Sequence, residues 1–123
     1  MGGKVCVCKC KVMDCDKTML DKMLYEVDYL VKKMTNATLE KFLSSEGKKR
    51  LAGMTFINIG EYMYRLSDEF KTNVSDFPFL LMLDTRKKIV RSYDALDFVA
   101  LWNMIRVDLP LLREAIVSLT LMN

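Results

Sequence analysis

Residues 84–96, DTRKKIVRSYDAL, place Arg86, Lys87, Lys88 and Arg91 within six positions and follow them with Tyr93. Basic side chains at this density suit a phosphate, because an arginine fork meets two phosphate oxygens at once and a lysine adds a point charge. The tyrosine is a candidate active-site group or a site for modification by another enzyme. Histidine is absent from the whole chain. No imidazole serves as general base, general acid or metal ligand, so serine and cysteine triads that need histidine are excluded. The same charges on an anonymous helix would form a solvated face, and Lys48, Lys49 and Arg50 make a second basic run of that kind.

The other reactive side chains cluster at the start, where Cys6, Cys8, Cys10 and Cys15 could offer four thiolates to zinc. Structural zinc sites take paired ligands from two separate segments, and this spacing on one short segment strains that geometry, so no metal is expected. The opening segment lacks the apolar core and cleavage site of a secretory signal. A reduced, cytoplasmic protein follows, and the glycan-acceptor patterns at Asn36 and Asn73 are then chance matches.

Positioning these groups requires a fold, and 123 residues with 51% hydrophobic and 28% charged side chains fit one ordered domain that needs no cofactor to hold it. No apolar run is long enough for a membrane span. The net charge of +3 permits nucleic-acid binding without requiring it. Leu20, Met23, Leu24, Val27, Leu30, Val31 and Met34 recur at helical intervals and predict one apolar stripe. A short turn over 39–43 follows, with Ser44 or Ser45 capping a long segment whose stripe runs through Phe56, Ile59, Met63, Leu66 and Phe70. Gly53 and Gly60 inside it predict close approach by a neighbouring helix, and make an isologous dimer interface reasonable.

Asp76 and Pro78 are placed to start the helix that carries FLLML into the basic stretch. Asp94 is expected to cap the next one, with Phe98, Val99, Trp102 and Ile105 on its stripe. Pro110 should kink or restart it before Leu112, Ala115, Ile116 and Leu119. Only Val5 to Val12 alternates like a strand. The expected architecture is an all-α, up-and-down bundle of about five helices, with Trp102 and the methionines as packing residues.

From residue 16 to the end, the order of these segments resembles the HepT family of the HEPN superfamily. INIGEYMYRLSDEF at 57–70 is similar to the family's long-helix phrase, FPFLLMLDTRKKIVRSY at 77–93 to its motif helix, and DFVALWNMIRVDLPLLREAI at 97–116 to its tryptophan helix ending in Asp-Leu-Pro. The resemblance divides the chain into a Cys-rich extension, 1–15, and a HepT-like helical domain, 16–123. Residues 1–12 are then expected to be an extension, either from an upstream start codon or added to the chain.

The resemblance implies the toxin side of a type VII toxin-antitoxin pair, partnered by a minimal nucleotidyltransferase antitoxin. It also implies a homodimeric, metal-independent ribonuclease whose paired motifs line a cleft between subunits. That motif reads Arg, a polar residue that is usually Asn, three further positions, His, any residue, Tyr. Arg86 and Tyr93 match its ends, Lys87 stands at the asparagine position and Arg91 at the histidine position. A guanidinium with a pKa above about 12 keeps its protons at neutral pH and cannot relay them. Arg86, Lys87 and Arg91 are therefore expected to bind RNA phosphate, with cleavage weak or absent, and Tyr93 to be the acceptor of AMP. If one helix runs through 86–93, Arg91 projects about 140° from Arg86, whereas Tyr93 returns to nearly the same face. The rival reading is a helical interaction module that binds a nucleotidyltransferase and catalyses nothing.

Overall fold

A computed structural model describes residues 14–121, all-helical in its regular elements. Cys6, Cys8, Cys10 and the alternating segment 5–12 lie outside the described residues. Helix α1, Asp14–Lys33, begins with Asp14 and Asp16 in its first turn and ends with Lys32 and Lys33, a charge order that suits the helix dipole. Its stripe of Leu20, Met23, Val27 and Leu30 is fully buried. Burying each such side chain stabilises the fold by roughly 1.5–3 kcal/mol. After the short α2, Leu39–Ser44, Ser45 caps α3, Glu46–Arg65, by accepting from the Lys48 N–H. Phe56, Ile59 and Met63 of α3 share one core with the α1 stripe, and the last helix of the chain closes against α1.

The predicted stripe through Leu66 and Phe70 is divided between two helices. Leu66 has extended backbone, and Ser67 caps a new helix, α4, Asp68–Asn73, by accepting from the Phe70 N–H at 3.0 Å. Asp16 of α1, itself buried, accepts from the Ser67 amide at 2.8 Å and the Ser67 hydroxyl at 2.6 Å. A charged acceptor pins both Ser67 donors in place, so the chain turns here although its apolar spacing would have continued one helix.

Helix α5, Phe79–Arg91, packs on α3 and buries Met82, Thr85 and Ile89, with Pro78 just before its first turn. The helix stops at Ser92 and gives way to a 3-10 turn, Tyr93–Ala95. Asp97, not Asp94, then caps α6, Phe98–Asn103, accepting from the Ala100 N–H at 3.1 Å. Asp94 is consumed inside the 3-10 turn, and Asp97 is the first acid able to reach back to an open helix end. The interruption expected at Pro110 takes the form of a π turn, Met104–Asp108, in which the Leu109 N–H reaches the Met104 carbonyl, before α register resumes in α7, Leu109–Leu121. The wider turn absorbs the place where proline has no N–H to give. Trp102 packs with Phe42 at 5.3 Å between ring centres, in the core as expected. No helix among the described residues is long and apolar enough to cross a membrane.

Candidate functional site: two glycine seats on α3

The buried side of α5 turns Arg86 toward α3 at the level of Gly60. A β-carbon at position 60 would stand 2.6 Å from Arg86 Cβ and 2.7 Å from its Cδ, so the arginine stem occupies space that only glycine leaves open. Beyond the stem, Arg86 Nη2 lies 3.2 Å from Glu61 Oε1, and the side chain is 39% exposed. The other carboxylate oxygen, Oε2, accepts from Arg65 Nε at 2.8 Å. One carboxylate thus joins two guanidiniums, one from its own helix and one from α5. Arg86 Nε is buried with no hydrogen-bond partner.

Tyr93 repeats the arrangement one heptad earlier on α3. A β-carbon at Gly53 would stand 3.2 Å from Tyr93 Cε1 and 3.6 Å from its Cδ1, so one edge of the ring occupies the space at the second glycine. Phe98 meets that ring edge-on at 5.4 Å between centres, and the Arg50 guanidinium sits 5.7 Å from its centre. The Tyr93 hydroxyl is buried without a partner. Burial, reinforced by the negative charge of Glu46 and opposed by Arg50, raises its pKa above the usual tyrosine value. At neutral pH the hydroxyl is therefore neutral.

Gly53 and Gly60 are met by residues of this same chain, the close approach by a neighbouring segment that glycine inside the α3 stripe predicted. The structure brings Arg86 and Tyr93 to one face of α3. Arg91 does not join them. It is the last residue of α5, exposed, with its guanidinium in no hydrogen bond or ion pair among the described residues. The helix stops one residue too late to swing it round. Lys87 is likewise exposed and unpaired, whereas Lys88 is held by Asp84 at 3.2 Å on the solvent side.

Sequence reasoning gave neither Glu61 nor Arg65 a role. The signal was the Gly60-Glu61 step. A glycine that admits α5 puts the next side chain beside whatever α5 brings. Among the described residues, no group of three or more acidic or cysteine side chains could hold a metal ion.

A family model described as "Ribonuclease HepT-like" matches residues 25–119. A protein of Caldanaerobacter subterraneus subsp. tengcongensis that carries a provisional RNase name is 22% identical over 104 residues, covering 85% of this chain and 93% of its own length. No solved structure matches the chain.

Proposed function

Because the chain belongs to the ribonuclease HepT-like family, we propose that it is the toxin-side member of a toxin-antitoxin pair, an RNA-binding protein of ribonuclease type whose own cleavage site is degenerate. The observation that carries this reading is the separation of Arg86 from Arg91. Arg86 is fixed in the Gly60 seat with its side chain partly exposed, a guanidinium suited to a phosphodiester, while the position where proton exchange is needed holds an exposed guanidinium that cannot exchange protons. Glu61, the carboxylate beside Arg86, is engaged by Arg86 and Arg65. Lys87 and Arg91, unpaired on the outer side of α5, add phosphate contacts.

Incubation of purified protein with single-stranded and structured RNA tests the reading. RNA is expected to be retained and left largely intact, with Arg86→Ala weakening retention. Brisk degradation that disappears in Arg86→Ala would overturn the degenerate-site reading, and RNA neither bound nor cut would favour the pure interaction module.

Assembly follows the same helices. Met54 and Tyr64 of α3 are 56% and 69% exposed, and Leu80 and Val90 of α5 are 83% and 62% exposed, so the two helices that hold the Arg86–Glu61 pair also carry exposed apolar surface. Covering it with a second copy would bring two Arg86 sites to one interface and supply Arg91 from across it.

In this reading, acting in the cytoplasm, a minimal nucleotidyltransferase is the antitoxin and Tyr93 its substrate. The tyrosyl oxygen would attack the α-phosphorus of ATP, forming an O–P bond and releasing pyrophosphate, with the hydroxyl proton passing to a base of the partner. The ring must leave its seat over Gly53 first, because the hydroxyl is buried. After incubation with such an enzyme and ATP, intact mass is expected to show one added AMP on the native chain and none on Tyr93→Phe; equal modification of Tyr93→Phe would remove Tyr93 from this role.

A further inference from the structure

We propose that Arg65 is a second phosphodiester-binding residue of the Arg86 site, and that the Glu61 carboxylate is an internal anion occupying the place between the two guanidiniums that a phosphate takes when RNA binds. This rests on the RNA-binding reading above and extends it to two residues that neither the motif nor the family match assigns. The geometry is that of a substrate mimic. Two oxygens of one carboxylate each face a different guanidinium, Oε1 toward Arg86 at 3.2 Å and Oε2 toward Arg65 at 2.8 Å, as the two free oxygens of a phosphodiester would.

A bland reading of Glu61 and Arg65 is a solvated pair one helical turn apart, which alone stabilises a helix only slightly. Two features exceed it. The third member comes from another helix, and its stem cannot retreat, because Arg86 is wedged at the Gly60 notch. Among the described ion pairs, this is where one carboxylate joins cations from two helices; Glu46 contacts Lys49 and Arg50 within α3, and Asp28 binds Arg113 alone. The trio carries one net positive charge while Glu61 stays in place. Glu61 and Arg65 are both partly open to solvent, so the carboxylate can swing out and the arginine swing in without disturbing the core. A phosphodiester then meets two cations in place of a neutralised pair.

Fluorescence anisotropy with a labelled single-stranded oligouridylate, repeated over a salt series, tests this. Arg65→Ala and Arg86→Ala are each expected to weaken binding roughly threefold or more and to take about 0.7 from the slope of log affinity against log salt, the signature of one lost phosphate contact on a single strand. Glu61→Gln is expected to tighten binding, and that gain should vanish when Arg65 and Arg86 are both alanine, because the competing charge then has nothing to mask. Lys17→Ala, which removes the same charge from an Asp21 pair on α1, should change little. Arg65→Gln keeps much of the stem, and melting curves for each variant separate a lost contact from a lost fold. Arg65→Ala and Arg65→Gln indistinguishable from Lys17→Ala, beside a weakened Arg86→Ala, would exclude Arg65 from the site. A silent Arg86→Ala would instead remove the RNA-binding reading itself. Weaker binding by Glu61→Gln would make Glu61 a positioning residue for Arg86 and overturn its role as competitor.

Discussion

Arg91→His is expected to raise RNA turnover by roughly two to four orders of magnitude, the usual contribution of a positioned general acid or base. Transesterification through the 2'-hydroxyl needs its proton accepted as the oxygen attacks phosphorus, and a proton returned to the departing 5' oxygen. Arg91 can do neither, whereas an imidazole near neutral pH does both in turn. RNA affinity should stay flat or fall slightly, since a cation is exchanged for a group that is mostly neutral at pH 7. The gain should also depend on protein concentration. Within one chain Arg91 leaves the outer side of α5, about 140° round the helix from Arg86, so a second subunit must bring the new histidine to the phosphate. Single-turnover cleavage of labelled RNA across a dilution series, with sedimentation of the same samples, reads both effects. Adding Arg86→Ala to the histidine variant should return turnover to background. A dimeric Arg91→His protein as inert as the native chain would show that proton exchange at this position is not what limits cleavage.

Gly60→Val should cost about 3 kcal/mol, at the upper end of the usual penalty for overpacking, and remove the Arg86 contribution to RNA binding at the same time. Even a single β-carbon there falls 2.6 Å from Arg86 Cβ, an atom rigidly tied to the α5 backbone, so relief requires α5 to lift from α3. For a domain of this size the midpoint of thermal unfolding should drop on the order of 10 °C. Gly53→Ala provides the contrast. Its added carbon meets Tyr93 Cε1 at 3.2 Å, the far end of a ring that can tilt, and a helix interior gains about 1 kcal/mol when glycine becomes alanine. Its stability should therefore change by less than about 1 kcal/mol in either direction. Circular-dichroism melts of both variants, together with RNA retention, check the pair. Equal melting points for Gly60→Val and the native chain would mean that α5 does not rest on α3 at this notch.

Much of the helical layout was legible because helices are written in local periodicity. The α1 stripe from Leu20 to Leu30, the Ser45 cap and the helix carrying FLLML each depend on residues a few positions apart. The errors came where a distant residue decided. Phe70 shares the spacing of Met63, yet it belongs to a separate helix because Asp16, far earlier in the chain, holds both donors of Ser67. Asp94 is as good a capping residue as Asp97, and only the 3-10 turn formed by Tyr93 over Gly53 settles which helix end is open.

The sequence by itself determined the chemistry available to this protein: no histidine, a fixed cation at position 91, and arginine and tyrosine at the two ends of a motif. Those are properties of side-chain type, independent of folding. Tertiary structure alone decided who stands beside whom. It lowered Arg86 and Tyr93 into two glycine notches on α3, paired Glu61 with both Arg86 and Arg65, and left Arg91 exposed. Helix-to-helix approach depends on the volume a missing β-carbon releases and on the angle at which a chain turns. Neither is encoded within the few residues over which a sequence pattern can be read.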